Sequence, residues 1–418
     1  MADEKLWKTV PFYPNTLVDL FQNDIGDRIE ERVKKIRSCL SKKRYTPFSN
    51  LFEQNQNFPD LHYNLSITQN QTYGRFVQAT GNINAGEKIG EAKAFAAVLD
   101  KTDMPYCLTC FVTKTSKFPI CCARCKAVYC SKDCAEMNKT HKYECATIIQ
   151  TIKFGPNIDA KCAMQMLFKS LAIFKENVGM MCEAVKGMLS APHNNNNAIQ
   201  TTCPVQVNNG RSRFVAIMRL EGETYPGFES HLILAIHILQ KCEKIVELFH
   251  YYPHFLQHLL GHFLKAINQN SFMVPVPDGE DRTVIRMLIF DTFSYFNHAC
   301  SPNALHFIEG NRMTLISSCP ISTQQEVNIC YKECGAENDT NQRRQLLKSE
   351  WGFDCNCTRC MYGHQYGKEI TQNDIDCVPP FLDVCKKKLQ NYAGSFWDTW
   401  KGALIIKYNN LLAERADV

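Results

Sequence analysis

The sequence predicts an α+β protein in which two groups of short strands are separated by a cysteine-rich segment and by helices. Short apolar runs punctuated by glycines extend from Leu65 to Leu99, and strand-like runs return from Thr283 to Tyr331. Between them, cysteines are densest over 107–145, and apolar residues recur at helical intervals over 158–189 and 229–249.

Helices are also predicted at both ends of the chain. Over 25–40 the apolar positions recur every three or four residues, so we expect an N-terminal amphipathic helix. Residues 365–418 look helical but are too few for a large independent domain. The asparagine-rich stretch around Asn194 to Asn197, between the central helices, is expected to be an exposed loop.

Composition bounds the class of protein. A chain of 418 residues suits about two to three domains, and an apolar fraction of 45% can fill their cores. With 47 Lys and Arg against 42 Asp and Glu, the net charge of +5 excludes a polyanion-coating protein and a disordered acidic chain. Neither a secretory signal nor a membrane span is recognisable, so we expect a soluble intracellular protein with no membrane partner.

The 22 cysteines are the most informative feature. A reducing compartment disfavours disulfides, so clustered thiols are best explained by metal ligation. A lone CxxC pair is equally compatible with small buried apolar residues, but several pairs in register favour metal. Four pairs suit two tetrahedral zinc ions: Cys107 and Cys110, Cys122 and Cys125, Cys130 and Cys134, His141 and Cys145.

With Tyr129 directly before Cys130 and the closing HKYEC, this cluster resembles a MYND zinc finger. The resemblance implies an interleaved arrangement, with Cys107, Cys110, Cys130 and Cys134 on one zinc and Cys122, Cys125, His141 and Cys145 on the other. Cys121 is left over, although a shift of one residue could exchange it with Cys122. Four protein ligands leave no open position, so both zinc ions should be structural.

The finger is also basic. Residues 101–145 contain eight Lys and Arg and four Asp and Glu, a local balance of +4. This charge is either a solvated zinc-finger surface or an electrostatic dock for DNA or an acidic partner. The resemblance further implies binding of proline-rich peptides.

Three pieces flank the finger and the helices: YGRFVQATGNINAGEKIGE at 73–91, FNHACSPNALH at 296–306 and EVNICY at 326–331. Together with WGFDCNCTRC at 351–360 they resemble a SET domain carrying a MYND insertion, the SET-and-MYND family of protein-lysine methyltransferases. The run from Asn297 to Asn303, NHACSPN, is the most specific piece. The resemblance implies a SET-type β-fold with a pseudoknot, an inserted MYND zinc finger, a helical SET insert and a post-SET zinc segment.

The same resemblance implies the site residues. Tyr331 is the candidate catalytic residue, whose hydroxyl would orient a neutral lysine amine for in-line methyl transfer, and a cross-strand core tyrosine is its alternative role. Contacts to S-adenosylmethionine are implied for Gly74, Arg75, Ser294, Asn297, His298, Tyr331 and Phe353. Cys300, Cys355, Cys357 and Cys360 would hold a third structural zinc, and no catalytic metal is needed.

The sequence departs from the family pattern in three places. Phe76 stands where the first loop has its second glycine, and Gln325 stands where a glycine precedes the glutamate of the last strand. The C-terminal tetratricopeptide-like helical domain of many relatives is nearly absent. Phe76 favours a catalytically silent alternative, whereas Asn297, His298 and Tyr331 oppose it.

The expected function is S-adenosylmethionine-dependent methylation of lysine in histone or other proteins, with a role in transcription, in the cytoplasm and nucleus. The alternatives are a silent adaptor that recruits partners through the finger, or a repressor that contacts DNA. The expected organisation is: 1–64, a helical extension; 65–106, the first SET part; 107–145, the finger; 146–285, the helical insert; 286–335, the second SET part; 336–364, the post-SET zinc segment; and 365–418, a short helical region.

Overall fold

The computed structural model describes residues 53–70, 74–83, 87–100, 106–112, 119–145, 147, 157–189, 209–277, 283–300, 302–317, 320–331, 340–357 and 359–361. The helices predicted over 25–40 and 365–418 lie outside these residues. Within the described part of the predicted extension, 53–64 forms turns and isolated bridges rather than a helix. One of these bridges pairs Leu61 with Gly90 and buries Leu61 in the core.

Twelve strands are present in the described residues, and they confirm the predicted α+β class. They are β1 (Leu65–Asn70), β2 (Gly74–Ala79), β3 (Lys88–Lys93), β4 (Ala96–Leu99), β5 (Ile120–Cys121), β6 (Val128–Tyr129), β7 (Ser271–Pro277), β8 (Thr283–Ile289), β9 (Asn297–His298), β10 (Ala304–Glu309), β11 (Arg312–Ser317) and β12 (Glu326–Ile329).

The α-helices of the described residues lie between two groups of these strands, apart from one that follows the last strand. They include α1 (Lys132–Met137), α2 (Ile158–Ile173), α3 (Val178–Leu189), α4 (Gly210–Met218), α5 (Phe228–Leu239), α6 (Glu243–Phe249), α7 (Pro253–Asn270) and α8 (Thr340–Trp351), and residues 141–145 of the finger are also helical. The helical periodicity over 158–189 and 229–249 is thereby confirmed. The helices end at Asn270 and β7 follows directly, so the last part of the segment 146–285 is a strand.

The strands form small sheets rather than one large one. Their orders are β1-β2-β12-β9, β10-β11-β3, β4-β8-β7 and β5-β6. In the first sheet β12 lies antiparallel to β2 and parallel to β9. This arrangement places the Asn297-His298 segment beside the strand that leads to Tyr331, although the two lie about thirty residues apart in the sequence.

One apolar core joins the sheets to the helical insert. Buried residues of α2 and α7, such as Leu167 and Phe263, belong to the same cluster as Met287 of β8 and Val77 of β2. The predicted insert is therefore packed on the strands through apolar surface, which is the main contribution to its stability.

The finger is held against the rest of the chain at two places. The buried carboxylate of Glu144 accepts a 2.7 Å hydrogen bond from Gln165 of α2, and the Tyr143 hydroxyl donates a 2.6 Å bond to Glu176. On the other side, Gly310 has φ +58° in the turn between β10 and β11, and an added Cβ would lie 2.2 Å from the carbonyl oxygen of Cys110. A glycine is required there because the finger backbone approaches so closely.

Candidate functional site

The site is built around the parallel pair of β9 and β12. Asn297 pairs with Asn328, His298 pairs with Ile329, and the Ala299 amide donates a 2.9 Å bond to the Ile329 carbonyl. Because β12 ends one residue before Cys330, Tyr331 emerges directly beside the Asn297-His298 segment.

Tyr331 is anchored at both its main chain and its hydroxyl. Its amide donates a 3.1 Å hydrogen bond to His298 Nδ1, and its hydroxyl donates a 2.8 Å bond to the carbonyl of Phe296. Burial first, and the Glu326 carboxylate second, raise the pKa of Tyr331, so the hydroxyl stays neutral. A hydroxyl has one proton and two lone pairs, and here the proton is already used, so the oxygen presents only acceptor sites.

Aromatic rings surround Tyr331. Ring centroids lie 5.3 Å from His298, 5.6 Å from Trp351 and 6.4 Å from Phe353. Phe353 is also 6.0 Å from His298. The structure thus brings the post-SET residue Phe353 together with Tyr331 and His298, as the resemblance implies.

The side chains of Asn297 and Ser294 form hydrogen bonds with other groups of the protein. The Asn297 amide donates a 2.9 Å bond to Glu326 Oε1. The Ser294 hydroxyl is 2.7 Å from the Phe290 carbonyl and 3.3 Å from that of Asn270. Ser294 therefore ties the start of this segment to the end of α7.

Gly74 and Arg75 open β2 near the same segment. Gly74 has φ +64°, and a Cβ added there would have no atom of the described residues within 4 Å, so these residues leave an open space beside the main chain. The Arg75 guanidinium lies 5.2 Å from the Tyr295 ring and donates a 3.0 Å bond to Glu221.

The structure places the two departures from the family pattern. Phe76 is only 4% exposed, so its ring is packed inside the protein, while Gly74 two residues earlier keeps its left-handed conformation and its open space. Gln325 follows the turn at Thr323–Gln324 and donates its amide to the Ser322 carbonyl at 3.0 Å. The second departure is therefore the residue that closes this turn, directly before β12.

Three groups of four Cys or His side chains have all their ligand atoms within 4.8 Å of one another in the described residues. With zinc–sulfur bonds of about 2.3 Å, the ligand atoms of a tetrahedral site lie about 3.8 Å apart. The donor sets fit zinc. They are Cys107, Cys110, Cys130 and Cys134; Cys122, Cys125, His141 and Cys145; and Cys300, Cys355, Cys357 and Cys360.

The two finger groups have the predicted interleaved membership. In the first, Cys130 Sγ lies 3.6 Å from Cys110 Sγ and 3.5 Å from Cys134 Sγ. In the second, Cys122 and Cys145 lie 3.9 Å apart. Cys121 is exposed and lies outside both groups, so of the two neighbouring thiols it is Cys122 that joins the cluster.

The third group links the site to the post-SET segment. Cys300 Sγ lies 3.9 Å from Cys355 Sγ and 3.6 Å from Cys360 Sγ. Hydrogen bonds from neighbouring thiols, Cys300 first, lower the pKa of Cys357 and bring that of Cys360 to about 7. These two thiols therefore lose their protons readily, whereas the pKa of Cys355 is raised within the same hydrogen-bonded group, so its proton must be displaced by the metal.

Sequence reasoning missed two residues that build the site. The Asn303 side chain donates a 2.8 Å hydrogen bond to the Glu326 carbonyl and accepts one of 2.8 Å from the Asn328 amide. These two bonds connect the loop after β9 to β12. The Phe296 carbonyl holds the Tyr331 hydroxyl. Asn303 ends the NHACSPN run and Phe296 precedes it, but only the strand pairing reveals their partners.

Comparisons with known proteins agree with this layout. The model of the SET domain family matches residues 74–332. A SET and MYND domain-containing protein of Dictyostelium discoideum is 31% identical over 127 residues, covering 30% of this chain and 27% of its own length. A second such protein from that organism is 26% identical over 332 residues, which is 71% of this chain and 81% of the relative.

A yeast protein described as a potential protein lysine methyltransferase, SET6 of Saccharomyces cerevisiae, is 33% identical over 105 residues, covering 24% of this chain and 28% of the relative. The chain thus spans only about a quarter of the length of several curated relatives that it matches. A solved SET domain structure, that of LSMT bound to lysine and AdoHcy, aligns with a TM-score of 0.29 at 8% identity over 78% of this chain and 58% of that one. A score this low supports no argument about function.

In the described residues, the helices are too short or too polar to cross a membrane.

Proposed function

Because the chain belongs to the SET domain family and carries three zinc-type clusters in the SET-and-MYND layout, we propose that it is an S-adenosylmethionine-dependent protein-lysine N-methyltransferase. The observation that carries the proposal is the Tyr331 hydroxyl, which donates a 2.8 Å hydrogen bond to the Phe296 carbonyl directly beside Asn297 and His298.

The residues present fit the cofactor. Open space adjoins the Gly74 main chain, and polar groups of Asn297 and the Phe353 ring lie on the segments around Tyr331. Gly74, Arg75, Ser294, Asn297, His298, Tyr331 and Phe353 would hold it, through main-chain approach, hydrogen bonds and ring stacking. When bound, the cofactor supplies an electrophilic methyl group on a sulfonium.

The side chains of the site are suited to positioning a lysine amine rather than to removing a proton from it. Since the pKa of Tyr331 is raised, its hydroxyl does not act as a base, and its oxygen can accept a hydrogen bond from a neutral lysine amine. The Phe296 carbonyl is a second oxygen acceptor 2.8 Å away. Rings of Trp351 and Phe353 limit water around Tyr331, which disfavours the ammonium form of an entering lysine.

Two measurements on the zinc-loaded chain test this proposal. Calorimetry should detect S-adenosylmethionine binding, and radiolabelled cofactor should transfer methyl groups to lysines of a cell-extract substrate pool. An adaptor needs no cofactor, so absence of cofactor binding would favour the silent alternative. Binding without transfer to any substrate would also favour it.

The finer parts of the proposal concern targets and place of action. We propose histone or other protein lysines as substrates, a role in transcription, and presence in both cytoplasm and nucleus. Methyl-lysine proteomics after depletion of the protein, together with cell fractionation, tests these points.

A second candidate function is an electrostatic dock on the finger for DNA or an acidic peptide. Arg124, Lys126 and Lys139 are exposed, and within the described residues none forms an ion pair with a carboxylate. Lys132 and Lys142 instead pair with Glu136 and Glu176. The three unpaired cations therefore favour this docking function, and binding of proline-rich peptides at the finger remains a further proposal.

A further inference from the structure

We propose that the His298 side chain is a positioning residue that ties the third zinc centre to Tyr331. The part that concerns Tyr331 rests on the methyltransferase function proposed above, whereas the part that concerns zinc does not.

The first contact arises where the strand pairing stops. β12 ends at Ile329, and the Tyr331 amide lies beyond the last backbone pair of β9 and β12. A buried amide without a partner costs free energy, and this one donates instead to His298 Nδ1 at 3.1 Å. The imidazole thus takes the place of a strand carbonyl.

The second contact follows from the first. A ring nitrogen that accepts a main-chain N–H carries no proton, so Nδ1 is the unprotonated nitrogen and the proton of the neutral ring lies on Nε2. His298 Nε2 lies 3.2 Å from Cys300 Sγ, so the ring donates N–H to a zinc-type thiolate. His298 is only 8% exposed, which keeps both bonds away from water.

This geometry gives the ring two roles. Cys300 is the one ligand of its group that lies in the bend just after β9, while the other three lie on the post-SET segment. An N–H donor fixes that thiolate and spreads its charge, as outer-shell groups do for metal ligands. Both anchors of Tyr331, the ring of His298 and the carbonyl of Phe296, then lie on one five-residue stretch fixed by that centre.

Two conservative substitutions separate the contacts. Asn places a polar atom near the position of Nδ1, and Gln places one near Nε2. His298→Gln should release the third zinc to a chromophoric chelator at about the wild-type rate, but with faster hydrogen exchange of the Tyr331 amide and lower turnover. His298→Asn should keep the amide protected and release one zinc per chain about 10-fold faster or more.

Zinc release and amide exchange do not depend on activity, so the proposal and the methyltransferase function fail separately. Absence of methyl transfer in the wild type would defeat the function alone. Zinc release at the wild-type rate in both variants, or equal losses of both readouts in both variants, would overturn the role of His298. The unmutated chain gives a further check, because ¹⁵N spectra of histidine-labelled protein should show the Nε2-protonated neutral ring. The opposite tautomer or a charged ring would also overturn the proposal.

Discussion

The Tyr331 hydroxyl donates a 2.8 Å hydrogen bond to the main-chain carbonyl of Phe296. This bond joins the second residue after β12 to the residue before β9, so two oxygen acceptors meet at one point of the site. Carbonyl and hydroxyl oxygens are the groups that can receive the weak C–H donors of a polarised methyl group. The arrangement is therefore preorganised to position a methyl group for transfer, and substitutions can remove its side-chain groups one at a time.

Tyr331→Phe removes the hydroxyl and keeps the ring against His298 and Trp351. Turnover should fall by roughly thirty- to a thousand-fold, since loss of one oriented hydrogen bond in a desolvated site costs about 2–4 kcal/mol in the barrier. Cofactor affinity, measured by calorimetry, should change little. Undiminished transfer by this variant would remove Tyr331 from the mechanism and leave it as a core tyrosine.

Asn297→Ala should behave differently, with weaker cofactor binding as its main effect. The Asn297 side-chain amide donates a 2.9 Å hydrogen bond to Glu326, and the resemblance predicts that it also contacts the cofactor. Calorimetry with S-adenosylmethionine measures the effect, with Tyr331→Phe as the control. Equal cofactor affinity in the wild type and in Asn297→Ala would show that this amide serves only to hold Glu326.

The ligand groups could be anticipated because cysteine spacing is local and because the resemblance supplied the interleaving. The choice of Cys122 over Cys121 could not be predicted from the sequence, because it depends on which thiol faces Cys145. The same holds for the contacts of His298 and Phe296 with Tyr331, which exist only because β9 and β12 pair across about thirty residues. Helices α4, α7 and α8 and strand β7 were not singled out. α8 is mostly polar and α4 is short, which weakens the helical signal, but α7 has a clear apolar face that includes Leu260 and Phe263 and could have been recognised from its periodicity.

Metal content should be about three zinc ions per chain, one for each described cluster. Cys300→Ser should remove one ion and release the segment that carries Phe353, with weaker cofactor binding as a result. Cys134→Ser should remove a different ion and leave cofactor binding near the wild-type level. Elemental analysis of metal-replete protein distinguishes the cases, and loss of the same ion in both variants would contradict the ligand groups.

Charge reversal tests the finger surface. Arg124→Glu combined with Lys126→Glu should weaken binding to duplex DNA or an acidic peptide and reduce its salt dependence, because counterion release scales with the number of contacts. Lys241→Glu, an exposed lysine of the helical insert, is the matched control and should have a smaller effect. Methyl transfer to a short peptide should stay unchanged in both variants. Affinity that is independent of ionic strength would contradict an electrostatic dock.

Arg213 of α4 holds two carboxylates that belong to different parts of the chain. Its guanidinium donates 2.8 Å hydrogen bonds to Asp60, from the segment before β1, and to Asp291, between β8 and the Asn297-His298 segment. Asp291 is fully buried, and this burial raises its pKa to about 6 although Arg213 opposes the shift. The contact therefore fastens the helical insert to the stretch that positions the site.

Arg213→Met should lower the free energy of unfolding by about 3–5 kcal/mol, because it leaves the Asp291 charge buried without its partner. The loss should depend on pH. The folded pKa of Asp291 already exceeds its ordinary value of 3.8, so the folded state takes up this proton first as the pH falls. Without Arg213 the pKa of Asp291 rises further, so Asp291 is protonated at a higher pH. Once it is protonated, it no longer places an unpaired charge in the core of the variant. The difference from the wild type should thus be larger at about pH 8 than at about pH 5.5.

Thermal unfolding of zinc-loaded protein at the two pH values measures this difference, and zinc loss at low pH affects variant and wild type alike. Lys186→Met is the control, since its pair with Glu183 is exposed on α3 and its removal should leave the unfolding midpoint unchanged. An Arg213→Met deficit that stays constant or grows as the pH falls would show that Asp291 is not the group left uncompensated.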